Sequence, residues 1–165
     1  MPDLNHLSYS SISTYLLCGN AWRLRYLERV AAPVSVALPF GSAFHGVAEA
    51  YIKSEVEPDD ERVLNIALAA WNEQLERNSD INWGDDTPEQ VANTLQRVVK
   101  AKPVQELLSK LRANYDASNP VCAIEKRVEL KVPGVPIPVI GYIDFIGNDG
   151  IPGDFKTAAR LWTSN

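Results

Sequence analysis

The sequence has few of the residues that mark secreted or membrane proteins. It contains only two cysteines in 165 residues, Cys18 and Cys122, which lie far apart and form no CxxC pair. A disulfide scaffold is therefore not expected, and reduced thiols are typical of a cytoplasmic protein. No segment approaches the roughly 20 consecutive apolar residues that span a bilayer, and residues 1–8 lack the basic and apolar regions of a signal peptide. We therefore expect a cytoplasmic protein that does not enter a membrane.

An excess of positive charge is also missing. The chain has 16 Lys and Arg against 21 Asp and Glu, a net charge of -5. Domains that coat nucleic acid by bulk attraction are usually strongly basic, so this class is not favoured. An enzyme that binds a polyanion in a local groove is still allowed, because metal-binding carboxylates add negative charge that a bound cation offsets.

The length and composition predict one globular domain over residues 1–165. Hydrophobic residues make up 45% of the chain and charged residues 22%, which is ordinary for a soluble domain with its own core. The helical patterns lie in residues 8–115 and the strand patterns in residues 120–157. Helices followed by a three-stranded antiparallel meander indicate an α/β (α+β) layered fold.

Capping and turn residues divide the helical part. Serines 8, 10 and 11 favour a short helix that residues 18–20 interrupt, and a second short helix should end near Glu28. Residues 30–39 are predicted to be a loop and Gly41-Ser42 to open the next helix. Pro58 is typical of a first helical position, and Thr87-Pro88-Glu89-Gln90 of a capping box. The helix that follows should kink or restart near Pro103.

Alternation of apolar and charged residues predicts strands over 122–132, 138–146 and 151–157. In the third strand Asp154 and Lys156 point to one face, because side chains two apart share a face. A loop at 148–150 with Gly150 in the left-handed region places Asp144 directly opposite Asp154. A two-residue loop would send Asp154 to the other face. The spacing alone favours a metal-binding carboxylate pair and a solvated hairpin edge equally.

Four sequence blocks resemble a known family. Residues 141–144 (GYID) and 153–157 (GDFKT) are similar to the GxxD and DxK-T motifs of the PD-(D/E)XK nuclease superfamily. Residues 7–27 resemble the N-terminal motif of its RecB-like exonuclease branch, and residues 41–45 (GSAFH) its histidine motif. The blocks occur in the family's order, and Ile-Asp stands where the Pro-Asp signature is usual.

The resemblance implies a restriction-endonuclease-like core, with the helical part packed on the meander. It also implies that His45, Asp144, Asp154 and the backbone carbonyl of Phe155 bind Mg²⁺ or Mn²⁺. Lys156 would polarise the attacking water and stabilise charge on the scissile phosphate, which agrees with the chemistry that phosphodiester hydrolysis needs.

The function so implied is a metal-dependent DNA nuclease, exonuclease-like, in DNA repair, recombination or phage DNA processing, with single- or double-stranded DNA as its substrate. The alternative is a non-catalytic nucleic-acid-binding or assembly subunit that retains the nuclease fold. The presence of all four catalytic-type side chains favours the enzyme.

Other residues carry two interpretations each. Glu125, on the first strand, is either an accessory metal or water ligand or a solvated charge. Ser10 is a helix-start hydroxyl that could contact phosphate, and Arg23 and Arg25 are either surface charges or DNA contacts. We expect Trp22 and Tyr26 to pack in the core.

Two features depart from the family pattern. Some RecB-like nucleases hold a [4Fe-4S] cluster with four cysteines, but this chain has two, so no iron–sulfur cluster is expected and Cys18 should pack in the core. The family fold continues past its lysine with a helix and another strand, whereas this sequence ends at Asn165. We therefore expect a homo-oligomer, a partner domain that completes the fold, or a longer parent nuclease.

Overall fold

The structure is a computed structural model that describes residues 4–157. In chain order the elements are α1 (Tyr9–Leu17), α2 (Gly19–Trp22), a π-helix (Arg23–Leu27), β1 (Val34–Ser35), α3 (Ala37–Ile52), α4 (Asp60–Arg77), β2 (Ile81–Asn82), α5 (Pro88–Val99), α6 (Lys102–Ala113), β3 (Ala123–Leu130), β4 (Val139–Ile146) and β5 (Pro152–Gly153). The described residues thus form a mixed α/β protein with six α-helices, a two-stranded parallel sheet and a three-stranded antiparallel sheet.

The chain divides into two compact units. The first comprises Met1–Ala32 and Glu125–Ile143, and the second Pro33–Ile124 and Asp144–Asn165. None of the helices within residues 4–157 is long and apolar enough to cross a membrane.

In the first unit, side-chain caps define α1 and α2. The Ser8 hydroxyl accepts a 3.2 Å hydrogen bond from the Ser11 amide, which confirms the predicted cap of α1. Cys18 has an extended backbone that ends α1, and its Sγ accepts a 3.4 Å hydrogen bond from the Ala21 amide at the start of α2. Cys18 is exposed. The prediction that it packs in the core was wrong, because its sulfur caps a helix.

An aromatic group joins α1 to the π-helix. The Trp22 ring lies 5.5 Å from that of Tyr15, edge to face, and 6.1 Å from that of Tyr26. The indole of Trp22 donates a 3.4 Å hydrogen bond to the buried hydroxyl of Ser11. Trp22 and Tyr26 are half-buried, so their predicted place in the core is only partly correct. The helices are too short to enclose such large rings.

The core of the second unit lies between α3, α4, α5 and α6. α3 begins at Ala37, four residues before the predicted start, and Pro39 fits its first turn because the missing N–H needs no partner there. The preceding segment is not all loop, because β1 pairs in parallel with β2, Val34 opposite Ile81. The buried residues of this core are Ala43, Phe44, Val47, Ala48, Tyr51, Val63, Ala67, Trp71, Val91, Leu95, Val99 and Leu108.

Two caps fix where α4 and α5 begin. The Asp59 carboxylate accepts a 2.8 Å hydrogen bond from the Arg62 amide, so α4 starts at Asp60 and Pro58 precedes the helix instead of opening it. The Thr87 capping box is confirmed, with both reciprocal hydrogen bonds formed. The chain breaks after Val99, and α6 restarts at Lys102 as predicted near Pro103.

The three-stranded sheet has the order β3-β4-β5. Phe145 pairs with Gly153 and Ile146 with Pro152. The turn between these strands is centred on Asp149, and Gly150 adopts the predicted left-handed conformation (φ 73°). Asp154 follows the last paired residue, Gly153, so the predicted strand pairing of Asp154 with Asp144 does not form. Gly147 lies directly against Asn114 at the end of α6, where a side chain would clash.

The predicted third strand is too long. β5 spans only Pro152–Gly153 instead of 151–157. The pairing stops because the Phe155 amide donates to the side chain of Asp144, at 2.6 Å. The motif residues 154–156 therefore follow the strand as an irregular segment.

Candidate metal centre

His45 lies in α3 beside the buried stripe of that helix. Its neighbour Phe44 is buried and packs edge to face on Phe155, with ring centroids 6.4 Å apart. The imidazole itself is partly accessible, with 27% of its side chain exposed, and it packs edge to face on the same phenyl ring at 5.7 Å. The helix therefore presents an imidazole at the rim of the core, next to residue 155.

Both ring nitrogens of His45 lie near predicted ligand groups, one near Phe155 and the other near Asp144 on β4. Nε2 lies 3.0 Å from the Phe155 carbonyl oxygen, which can only accept, so the imidazole is the donor in this hydrogen bond. Nδ1 lies 3.8 Å from Oδ1 of Asp144. The sequence predicted that His45, Asp144 and the Phe155 carbonyl lie together. In the structure His45 lies close to both of the other groups.

Asp144 is the most buried of the predicted ligands. It lies near the end of β4, and only 9% of its side chain is exposed. Oδ2 accepts the hydrogen bond from the Phe155 amide, and Oδ1 is directed to His45. A buried carboxylate must be paired or coordinate a cation, and here one oxygen is held by an amide while the other remains near an imidazole.

Asp154 occupies a different environment. Its side chain is 58% exposed, and Oδ1 accepts a 2.9 Å hydrogen bond from Nζ of Lys156. Within residues 4–157, Asp154 is not part of the group of candidate ligand atoms around His45 and Asp144 that lie within 4.8 Å of one another. Its role as a metal ligand stays a prediction.

Lys156 is held in its charged form. The hydrogen bond to Asp154 raises the pKa of Lys156 above its ordinary value, partial burial opposes this, and the charges of Asp154 and Asp144 raise the pKa further. An ammonium with a raised pKa is a poor base at neutral pH but a permanent positive charge. The arrangement suits stabilisation of an anion next to Asp154.

A cavity of about 810 Å³ in the second unit opens beside the DxK segment. α3, α5 and α6 supply apolar walls, and Asp154, Lys156 and Thr157 lie at one side. Gly41 permits this approach, because a Cβ there would lie 3.3 Å from the Thr157 hydroxyl. The remaining lining residues are Val36, Ala37, Phe40, Phe44, Asp86, Val91, Thr94, Val98, Val104, Leu107 and Phe155.

The residues predicted as accessory or DNA-contacting lie in the first unit. Glu125, on β3, has a left-handed backbone (φ 52°), a strained conformation for a residue with a side chain. Ser10 is exposed, and its hydroxyl lies 3.0 Å from that of Ser8. Arg23 forms an ion pair with Glu28 and donates to Asn20, whereas Arg25 lies over the Tyr26 ring at 5.6 Å. Their roles stay predictions.

Sequence reasoning missed the main-chain part of this centre. Strand alternation places Phe155 on the face opposite Asp154 and Lys156, so no pattern indicated that its amide would bind Asp144. Phe40, which lines the cavity beside the DxK segment, was also missed. The sequence predicted a loop over residues 30–39 and a start of α3 at Gly41. Neither feature has a sequence signal at the level of single residues.

Comparison with known families gives one match. Residues 6–163 match the family model described as the PD-(D/E)XK nuclease superfamily. This range includes all four sequence blocks and every residue of the centre described above. Neither the curated proteins nor the solved structures contain a significant match to the chain.

Proposed function

Because the chain belongs to the PD-(D/E)XK nuclease superfamily, we propose that it is a divalent-metal-dependent DNA nuclease that hydrolyses phosphodiester bonds. The observation that carries the proposal is the convergence of His45, Asp144 and the Phe155 carbonyl. Imidazole nitrogen, carboxylate oxygen and backbone carbonyl oxygen together form a donor set suited to Mg²⁺ or Mn²⁺.

The spacing of these groups is compatible with a metal ion. Nε2 of His45 and the Phe155 carbonyl oxygen are 3.0 Å apart, and adjacent ligands of an octahedral Mg²⁺ at ~2.1 Å lie about 3 Å from each other. When the imidazole carries its proton on Nδ1 instead, Nε2 and the carbonyl oxygen would both present lone pairs to one cation.

Two further carboxylates are proposed as ligands. Asp154 directly precedes Phe155, whose amide binds Asp144, and it would exchange its contact with Lys156 for one with the cation. Glu125 is proposed as an accessory ligand, and its strained backbone supports a functional role, because strain of this kind concentrates at active sites.

A bound divalent cation supplies a water of lowered pKa and offsets charge on the phosphate. Lys156 contributes a second positive charge beside Asp154 and orients the water without giving up its own proton. The Asp144 carboxylate holds the Phe155 amide and so fixes the segment that carries both Asp154 and Lys156. His45 fixes the same segment through the Phe155 carbonyl.

The finer assignment follows the sequence motifs. We propose that the chain belongs to the RecB-like branch and acts in an exonuclease-like manner in DNA repair, recombination or phage DNA processing. Residues 1–165 are proposed to act as one nuclease domain in the cytoplasm, as a homo-oligomer or with a partner domain. No iron–sulfur cluster is proposed, since the sequence holds two cysteines.

The test is digestion of end-labelled single- and double-stranded DNA with Mn²⁺ or Mg²⁺, with an RNA strand as a further substrate. We expect hydrolysis that EDTA abolishes and that Asp154→Asn and Lys156→Met each reduce at least about a hundredfold. Asp85→Asn and Lys100→Met remove the same charges at exposed positions outside the centre and should leave the rate unchanged.

Two outcomes would contradict the proposal. Hydrolysis that survives both active-centre substitutions would assign the activity to another site or to a contaminant. Intact Mn²⁺ binding without hydrolysis of any of these substrates would favour the alternative function, a non-catalytic nucleic-acid-binding or assembly subunit.

A further inference from the structure

The two units carry opposite charge. Met1–Ala32 and Glu125–Ile143 contain six Lys and Arg and four Asp and Glu, a net charge of +2. The second unit contains ten Lys and Arg and seventeen Asp and Glu, a net charge of −7. The net charges of the two units add to the −5 of the whole chain. In a chain with a net negative charge, the first unit is therefore the part with a positive surface for a polyanion.

Within that unit, basic and hydroxyl groups line a small cavity that we call the basic notch. Its polar lining includes Arg25, Arg29, His6 and Ser8, and the remaining walls are Leu4, Asn5, Ser11 and Tyr26. Its volume is about 200 Å³, room for roughly six or seven water molecules at ~30 Å³ each. A phosphate group fits this space, whereas a base pair does not.

The two arginines of the basic notch are available to a ligand. No ion pair joins Arg25 or Arg29 to a carboxylate within residues 4–157, and no carboxylate lines the notch. Glu28, the acidic residue on this helical segment, is paired with Arg23 instead. Two guanidinium groups that share a cavity repel each other, and an anion between them removes that repulsion.

The chemistry of the notch selects a phosphate group. A guanidinium donates two parallel hydrogen bonds to phosphate oxygens, and the Ser8 hydroxyl adds a further donor. Tyr26, on which Arg25 stacks at 5.6 Å, restrains that side chain in the wall of the notch. All of these groups lie in the first unit.

We propose that the basic notch binds a phosphate group of a nucleic-acid strand, as a terminal monoester or an internal diester. This inference rests on the proposed function for the identity of the ligand as nucleic acid, and it adds Arg29 and Ser8 to the residues that contact the strand. In this proposal the first unit holds the strand by one of its phosphate groups.

The test is fluorescence-anisotropy binding of short single-stranded oligonucleotides to the full chain in EDTA, where no cleavage can occur. The double variant Arg25→Gln/Arg29→Gln should weaken binding at least about tenfold. It should also reduce the slope of log affinity against log salt concentration by the amount expected for about two lost phosphate contacts. Arg25→Lys/Arg29→Lys, which keeps the charge but not the fork geometry, should lie between this variant and the wild type. Arg127→Gln, at an exposed ion pair of the same unit, should bind like the wild type.

Comparison of 5′-phosphorylated with 5′-hydroxyl strands, with inorganic phosphate as competitor, distinguishes the two sources of phosphate. A preference for the phosphorylated end that vanishes in the Gln variant assigns a terminal monoester, and equal losses for both strands assign an internal diester. Unchanged affinity and salt dependence in a Gln variant that melts like the wild type would overturn the proposal. Because this readout requires neither metal nor hydrolysis, its failure is distinct from failure of the nuclease assignment.

Discussion

The Phe155 amide donates a 2.6 Å hydrogen bond to Oδ2 of Asp144, across the end of the β4–β5 pairing. A side chain thus replaces the next backbone acceptor of the sheet, and the segment leaves the strand at the position where the DxK motif begins. The same carboxylate has its other oxygen 3.8 Å from His45. Asp144 is therefore both a structural acceptor and a candidate ligand, and these two roles can be separated by substitution.

The first prediction concerns Asp144. Asp144→Asn retains an oxygen that can accept from the Phe155 amide but removes the charge, so we expect a near-native melting temperature and a loss of Mn²⁺ affinity. Asp144→Ala leaves the amide without an acceptor and should also lower the free energy of unfolding by about 1–3 kcal/mol. Isothermal titration with Mn²⁺ and thermal melts of both variants measure the two effects. Equal metal affinity in the Asn variant would exclude Asp144 as a ligand.

The second prediction concerns His45. His45→Ala should weaken Mn²⁺ binding at least about tenfold, because it removes an imidazole from the centre and loosens the Phe155 carbonyl. The chain contains only one other histidine, His6, so His6→Ala is the matched control and should bind the metal like the wild type. If the two variants lose affinity equally, the metal is not bound where we place it.

The third prediction concerns stabilisation by metal. An ion that binds the folded chain but not the unfolded chain adds about 2.7 kcal/mol at a hundred times its Kd. We expect Mn²⁺ to raise the melting temperature of the wild type and to leave that of Asp144→Asn unchanged. Chelation with EDTA should reverse the rise, and NaCl at the same ionic strength controls for salt effects. A rise of equal size in the Asn variant would indicate a site elsewhere.

The fourth prediction concerns the cap of α5, which forms a wall of the large cavity. Thr87→Ala removes the acceptor for the Gln90 amide and should lower the free energy of unfolding by about 1 kcal/mol. Thr87→Ser keeps the hydroxyl and should recover most of that loss. Urea unfolding monitored by circular dichroism provides the measurement. If Thr87→Ala has the same free energy of unfolding as the wild type, packing alone fixes the start of the helix.

The fifth prediction concerns pH and Glu57, which links α3 to α6. Hydrogen bonds from Ser109 and then from Tyr51 lower the pKa of Glu57 below its ordinary value of 4.5, with a smaller contribution from Arg112 and an opposing one from desolvation. A carboxyl whose pKa is lower in the folded chain stabilises it above the unfolded pKa, and this stabilisation is lost as the pH falls through the folded pKa.

The stability difference between wild type and Glu57→Gln should therefore be largest near pH 6 and should shrink toward pH 3. Glu76→Gln, at an exposed position of α4, should show no such trend. Urea unfolding of the three proteins across this pH range tests the prediction. A constant difference at every pH would mean that the Glu57 charge does not contribute.

The sequence predicted features that depend on local chemistry. The Ser8 cap, the Thr87 capping box, the break before Pro103 and the left-handed Gly150 follow from the residues at those positions, because a cap or a turn is decided within a few residues. The register of β4 with β5 follows from the length of the turn in the same way, but the strand ends before Asp154, so the predicted pairing of Asp144 with Asp154 does not form. The family motifs in turn indicated which side chains to follow.

Features that depend on distant contacts were mispredicted or absent from the prediction. Cys18 is exposed because its sulfur caps α2, and the pairing of β1 with β2 joins segments almost fifty residues apart. Short strands and partly buried aromatic rings have weak local signals, since both depend on what packs against them. The same holds for the early start of α3 and for the brevity of β5.

The sequence by itself determined the family, the order of the main helices before the three-stranded meander and the identities of the candidate ligands, because motifs and turns are encoded by neighbouring residues. Only the tertiary structure decided that the Phe155 amide binds Asp144, that His45 reaches the Phe155 carbonyl across 110 residues, and that Arg25 and Arg29 share a cavity. The physical reason is that each of these contacts needs two segments to be held at hydrogen-bond distance, and only the packed fold fixes that distance.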